Sequence, residues 1–361
     1  MKGVTDTISR ALAAAGLSQR PATPSEHGTV IEGSYREIDA PRTDTDRAPA
    51  APAIDIEEPV PGEFVQRSFT NNAGTRTYKL YIPASCSIAP SEPVPLVVML
   101  HGCTQSPDDF AAGTRMNALA DRHGFLVIYP AQAANANGQK CWNWFRSQDQ
   151  ARDSGEPSLI AGITREVAAS YRVDDRRIFV AGLSAGAAMA VILGATYPEL
   201  YAAVGAHSGL PYRAAHDMPS AFAAMRGGAA LPGLVKPSAA TPANRTASGW
   251  TPTIVFHGDK DHTVAARNGI AIVEQVTVID ADRERLQANV HTGTTPGGRK
   301  FSRTEYVDSA NQPVVEHWVV HGAGHAWSGG SPDGSFTDAT GPDASAEMVR
   351  FFFLQRPTGT S

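Results

Sequence analysis

Only three cysteines, Cys86, Cys103 and Cys141, occur in this chain of 361 residues. That is too few for a disulfide framework, and no Cys/His spacing matches a zinc site. No apolar run approaches the roughly 18 residues of a membrane span. An excess of positive charge is also missing. The formal net charge of −5 gives no electrostatic basis for binding nucleic acid or an anionic membrane. Met1 to Gln19 lacks the apolar core of a signal peptide, because Thr5, Asp6, Thr7, Ser9 and Arg10 interrupt it. Ile8, Ala11, Leu12 and Ala15 make it a weak amphipathic helix at best. From residue 20 to about 61 there is no sustained period, and the Pro, Ala, Thr, Asp and Glu content predicts a disordered arm. No internal repeat is present. Residues 62–356 are long enough to bury one large core, and 357–361 form a tail.

Within that stretch strands alternate with helices. Phe64 to Phe69 and Arg76 to Ile82 read as strands joined by the turn signal Asn71-Asn72-Ala73-Gly74. Pro95 to Leu100 is a continuous apolar run, as expected of a parallel strand buried on both faces. Arg115 to His123 is predicted helical, Gly124 to Tyr129 a strand, and Leu159 to Tyr171 a helix. Arg177 to Ala181, Ala202 to Ala206 and Thr253 to Phe256 follow as buried strands, with a helix from Ala187 to Tyr197. Thr304 to Val307 and Val314 to Val320 form a late strand pair, and Ser345 to Leu354 a closing helix. The pattern predicts an α/β fold with a mostly parallel sheet covered on both faces. Arg213 to Gly249, rich in Gly, Pro, Ala and Ser, interrupts the alternation. It reads as an insertion over the C-terminal edge of the sheet, where ligands bind in open α/β folds.

The chemistry concentrates at Gly182-Leu183-Ser184-Ala185-Gly186, which joins a predicted strand to a predicted helix. A nucleophile elbow needs that context, with a serine on a sharp turn and glycines where a Cβ would collide with neighbouring backbone. Ser184 is therefore the candidate nucleophile. A serine needs a base, and the base an orienting carboxylate, in the chain order Ser, acid, His. His257-Gly258-Asp259-Lys260-Asp261-His262-Thr263-Val264 follows a later strand and offers two acids. The His-Gly-x-x-Asp-x-x-Val pattern places Asp261 in the role ahead of Asp259, whose ordinary reading is turn formation. His325 follows Gly322-Ala323-Gly324 directly after the last strand and is the candidate base. His321 and His317 read as structural, and His101, His207 and His262 do not suit the chain order. Two backbone N–H groups are expected to form an oxyanion hole. One is from Ala185 at the start of the elbow helix and one is from Cys103 in the loop His101-Gly102-Cys103-Thr104-Gln105.

Cys103 and Cys141 both fall on loops at the same sheet edge. A bridge between them would close a loop of about 38 residues, worth about 4 kcal/mol in the loop-entropy description. Two buried free thiols are the other reading. Trp142, Trp144, Phe145 and Trp327 gather on loops near the candidate triad. They are expected either to pack beneath those loops or, as a group, to wall a site for an acyl chain.

Five motifs occur in order: Leu100-His101-Gly102-Cys103-Thr104-Gln105, Cys141-Trp142-Asn143-Trp144-Phe145, Gly182-Leu183-Ser184-Ala185-Gly186, His207-Ser208-Gly209-Leu210-Pro211-Tyr212 and Gly324-His325-Ala326-Trp327. Together they resemble the poly(3-hydroxybutyrate) depolymerase family of esterases over about residues 62 to 356. The resemblance implies an α/β-hydrolase fold and hydrolysis of carboxylic esters without metal or organic cofactor. It implies substrates from hydroxyalkanoate polyesters and oligomers to feruloyl and acetylxylan esters. It implies Ser184, Asp261 and His325 as triad, Cys103 and Ala185 at the oxyanion hole, and Tyr212 beside Trp142, Trp144 and Trp327 as substrate-binding residues. It also implies export, for which Met1 to Gln19 supplies no visible leader. A serine peptidase, using the same triad on amides, is the rival activity.

Overall fold

The computed structural model describes residues 62–87, 92–227, 251–277 and 286–355. The predicted arm, the tail and most of the predicted insertion lie outside the described residues. The chain opens with a hairpin of β1 (Glu63–Asn71) and β2 (Gly74–Ile82), paired in register from Glu63 with Ile82 to Asn71 with Gly74. The turn works as its sequence predicts. Asn71 Oδ1 accepts the Ala73 N–H at 2.8 Å, and Gly74 takes φ +129°, open to glycine and costly for other residues.

A short turn, α1 (Ala84–Ser87), leads to β3 (Val94–Leu100), then α2 (Pro107–Thr114), α3 (Met116–His123) and β4 (Leu126–Pro130). Of the two consecutive helices α2 and α3, the second is the one predicted from Arg115 to His123, and the first is not among the predicted elements. Ser106 caps the first through the Asp109 N–H, and Arg115 breaks the run with a left-handed φ of 54°. Gly124, expected in a strand, is the left-handed C-cap of α3. Next come α4 (Gly155–Ser170), β5 (Val173–Leu183), α5 (Ala185–Thr196), β6 (Ala203–His207), α6 (Met218–Met225) and β7 (Thr253–Gly258). The chain ends with α7 (Arg267–Thr277), β8 (Gln287–Thr294), β9 (Lys300–Val307), β10 (Pro313–Val320), a two-residue pair β11 (Trp327–Ser328) with β12 (Thr337–Asp338), and α8 (Ala344–Leu354).

Ten strands form one sheet in the order β1-β2-β4-β3-β5-β6-β7-β10-β9-β8. The six central strands are parallel, and an antiparallel pair flanks them at each edge. The central strands are buried on both faces, which explains their unbroken apolar runs. Along β3, Leu96, Val98 and Leu100 pack with Ile160, Ile163 and Val167 of α4, while Val97 and Met99 pack with Phe110, Met116 and Phe352 on the other face. Each such side chain contributes roughly 1.5–3 kcal/mol of transfer free energy. Strand order reverses between β3 and β5, since β4 lies on one side of β3 and β5 on the other. The crevice outside the strand ends at such a reversal is where open α/β sheets bind ligands.

Candidate active site

The loop after β3 and the turn after β5 meet at this switch point. Ser184 sits between β5 and α5 at φ 58°, ψ −119°, a conformation that L-residues rarely adopt and that costs of order 1–3 kcal/mol. Its N–H donates to the His207 carbonyl at 2.9 Å, anchoring the turn to β6. Two glycines make the turn sterically feasible. A Cβ on Gly186 would lie 2.1 Å from the Leu100 carbonyl oxygen, and one on Gly182 would lie 2.5 Å from the Gly186 carbonyl carbon. Both contacts are with backbone, so no larger residue fits without moving a strand.

Asp261 and His325 come from loops following the adjacent parallel strands β7 and β10. His325 Nδ1 lies 2.7 Å from Asp261 Oδ2. The other carboxylate oxygen accepts the N–H groups of Thr263 at 2.9 Å and Val264 at 2.8 Å. Burial pushes the Asp261 carboxyl up. The hydrogen bond and charge of His325, the charge of His257 and the Val264 N–H outweigh that and hold it below the ordinary carboxylate range. Asp259 is engaged elsewhere, with Oδ2 3.0 Å from His321 Nδ1 and Oδ1 accepting the Gly322 N–H at 2.7 Å. The two carboxylates thus form separate pairs, and only the Asp261–His325 pair borders the cavity that Ser184 lines.

That cavity has a volume of about 340 Å³, and Ser184, Ala185 and His325 line it with Cys103 and Trp144. Its walls are chiefly apolar, including Leu183, Leu210, Met218, Phe222 and Met225. Among the described residues, the N–H groups of Cys103 and Ala185 have no protein acceptor. Ala185 begins α5, whose N-terminal dipole adds partial positive charge there. The loop carrying Cys103 is held from several sides. Gln105 Oε1 accepts the Gly102 N–H at 2.9 Å, the Gln139 carbonyl accepts the Thr104 N–H at 2.7 Å, and Cys103 is bridged to Cys141. Thiol titration under denaturing, non-reducing conditions is expected to count one free thiol, the buried Cys86. A count of three in protein matured in an oxidising compartment would reject the bridge.

The expected aromatic wall is corrected at three of its positions. Trp142 is fully buried, and its indole N–H donates to the His101 carbonyl at 3.1 Å, so it braces the oxyanion-side loop from beneath. Trp327 is buried between Phe110 and the His207 ring, 5.4 and 5.2 Å away between centroids, and donates to Ser345 Oγ. Tyr212 is buried with its hydroxyl on the Gln150 carbonyl at 3.0 Å. None of the three lines the cavity, whereas Trp144 and Phe145 do. An indole with a satisfied N–H in the core looks the same in sequence as one facing a ligand.

The remaining histidines also sort out. His101 donates from Nδ1 to the Gly102 carbonyl at 2.7 Å and accepts the Gln132 N–H at Nε2; burial lowers its pKa to about 4. His207 accepts the Ser328 N–H, and burial lowers its pKa to about 3. Both are neutral fixtures of strand ends. His262 is exposed at the cavity wall.

Two contributors carried a signal that composition obscured. Helix α6 lines the cavity inside the predicted insertion, and its start is written in Asp217-Met218-Pro219-Ser220. Asp217 accepts the Ser220 N–H at 2.8 Å, and Ser220 Oγ returns a bond to the Asp217 N–H at 3.1 Å. Glu156 is the other. Buried at the start of α4, it accepts from Asn143 N and Nδ2, each at 2.7 Å, from Arg76, and from Gln132 at very short range. It holds the Cys141–Phe145 loop against the sheet. Burial and the nearby Asp149 push its carboxyl up, against these donors.

Comparison with known proteins places this arrangement. The sequence profile of the family described as Esterase PHB depolymerase matches residues 76–292. The chain belongs to that family. Poly(3-hydroxyalkanoate) depolymerase C of Paucimonas lemoignei is 37% identical over 237 residues, covering 64% of this chain and 54% of that protein. A probable acetylxylan esterase A of Aspergillus fumigatus is 31% identical over 166 residues, covering 45% and 43% of the two chains. The chain spans about half the length of the curated relatives it matches. Among solved structures, an acetyl xylan esterase from Aspergillus awamori superposes with a TM-score of 0.60 at 19% identity, covering 80% of this chain and 99% of the other. The fold of this family member is thereby that of the α/β-hydrolase esterases.

Proposed function

We propose that this chain is a serine esterase that cleaves carboxylic esters through an acyl-enzyme, with hydroxyalkanoate oligomers or polyester as its substrate class. One observation carries the reading: a serine on a strained elbow and a carboxylate-held histidine border the same apolar cavity, beside two unpaired backbone N–H groups. In this reading Ser184 Oγ attacks the ester carbonyl while His325 Nε2 takes its proton. Asp261 fixes the imidazole tautomer with the proton on Nδ1 and stabilises its positive charge. The Cys103 and Ala185 N–H groups stabilise the oxyanion, each such donor being worth about 10²–10³ in rate. His325 then protonates the departing alcohol. Water, deprotonated by His325, releases the acid and restores Ser184. No step calls for a metal or an organic cofactor.

The aliphatic walls, with Leu183, Leu210, Met218 and Met225, suit a flexible acyl chain, and a relative 37% identical over 64% of this chain is a poly(3-hydroxyalkanoate) depolymerase. A fluorophosphonate probe is expected to label the protein at Ser184. Hydroxybutyrate oligomers are expected to turn over with higher kcat/KM than a feruloyl ester, and an amide analogue not measurably. Preference for the feruloyl or an acetylxylan ester would move the reading to the plant-polysaccharide esterases of the same fold, and amide hydrolysis would move it to a peptidase.

A further inference from the structure

Positive charge stands at the cavity without a partner. Arg226, the residue that ends α6, lines the cavity, and no Asp or Glu does so among the described residues. The Arg226 guanidinium has no hydrogen bond or ion pair among the described residues, whereas seven of the other described arginines are held by carboxylates. A second unpaired guanidinium is close by. A Cβ placed on Gly227 would lie 2.0 Å from Arg267 Cδ, so the Arg267 side chain runs across the glycine next to Arg226. The local sequence reinforces the imbalance. Between Asp217 and Asp259 there is no acidic residue, against Arg226, Lys236 and Arg245, in a chain whose net charge is −5. An apolar cavity with a free guanidinium at its wall, and a second one behind it, is complementary to an apolar ligand that ends in an anion.

The position of Arg226 also says which end of the ester it would meet. The end of α6 is tied to the loop after β7, with the Ala265 N–H donating to the Met225 carbonyl at 2.7 Å and Asn268 Nδ2 to the Ala224 carbonyl at 3.0 Å. That loop carries Asp261, which holds His325. The oxyanion-side loop with Cys103 belongs to β3, on the far side of β5. Since the histidine must reach the oxygen of the departing alcohol, the leaving group lies on the histidine side of the cavity. We infer that Arg226, supported by Arg267, binds the free carboxylate of the leaving half of the substrate. The preferred substrate is then an oligoester whose terminal unit is a hydroxy acid with its carboxylate exposed. This rests on the esterase reading above and narrows it to acid-terminated oligomers attacked at the carboxyl end. In the reaction the acyl C–O bond breaks, the hydroxyl of the departing hydroxy acid takes its proton from His325, and water supplies the hydroxyl of the new carboxylic acid.

The test compares two substrates in the full chain: a linear hydroxybutyrate trimer with a free carboxylate, and the same trimer as its terminal methyl ester. Wild type is expected to favour the free acid roughly two- to fivefold in kcat/KM, through KM, as a solvent-exposed ion pair allows. Raising salt should shrink that ratio, because both arginines are solvent-exposed. Arg226→Gln should bring the ratio close to one, Arg226→Lys should keep part of it, and Arg226→Glu should invert it. Free 3-hydroxybutyrate should inhibit wild type competitively and the Gln variant far more weakly, a readout that does not depend on oligomer turnover. Equal use of acid and methyl ester by wild type, or an unchanged ratio in Arg226→Gln, would overturn the inference while leaving the esterase reading intact. Turnover of neither trimer, with brisk hydrolysis of feruloyl or acetyl esters, would instead remove the depolymerase reading and the inference with it.

Discussion

Replacing Ser184 by Ala should lower kcat for a p-nitrophenyl ester by up to ~10⁶, because a triad nucleophile and its base act as one unit. The same variant should lose fluorophosphonate labelling and keep its thermal midpoint, since alanine bears the same backbone cost as serine at φ 58°. A second substitution separates chemistry from strain. Ser184→Gly should be equally inactive yet more stable by about 1 kcal/mol, the relieved strain being partly offset by the extra freedom of glycine in the unfolded chain. Activity above about a hundredth of wild type in Ser184→Ala would remove this serine from the mechanism.

The two carboxylates of the β7 loop make the second large contrast. Asp261→Asn should cut kcat by as much as ~10⁴, because an amide N–H facing Nδ1 favours the tautomer that cannot accept the serine proton. The Thr263 and Val264 N–H groups would still find the amide oxygen, so the loop should keep its shape. Asp259→Asn should cost far less, since it alters only the half-exposed pair with His321 and the bond from Gly322. Steady-state kinetics of both variants on one soluble ester decides it, and the reverse ranking would transfer the role to Asp259.

The central strands and the elbow were legible because their physics is local. A run buried on both faces must be apolar along its whole length, and a strained serine between two close backbone approaches must be flanked by glycine. Spacing proposes Asp261 over Asp259, while the two separate carboxylate–histidine pairs, Asp261 with His325 and Asp259 with His321, appear only in three dimensions. Other parts were not readable. β8 is an exposed edge strand, Gln287 to Thr294, with almost no apolar alternation to mark it. α7 is rich in Ile and Val, residues that fit a strand as well as a helix, and its inward face depends on packing against β7 and β10. Trp142 and Trp327 sit beside the active-site motifs in sequence, yet each spends its indole N–H on a buried acceptor. Proximity along the chain does not say which way a side chain turns.

The attachment of α6 has an evolutionary consequence. The proposed nucleophile, its proposed base and the proposed oxyanion donors all issue from ends of the parallel sheet and inherit its rigidity. The helix bearing Met218, Phe222 and Arg226 instead leans on that frame, held at its end through Met225 and Ala224. Selection can therefore rewrite the segment between β6 and β7 with little penalty to bond-breaking competence, so long as Ala265 and Asn268 still find their carbonyl partners. Diversification of ester preference among proteins with this scaffold is expected to track that segment, and transplanting it should carry selectivity from one member to another while turnover of a small activated ester changes little.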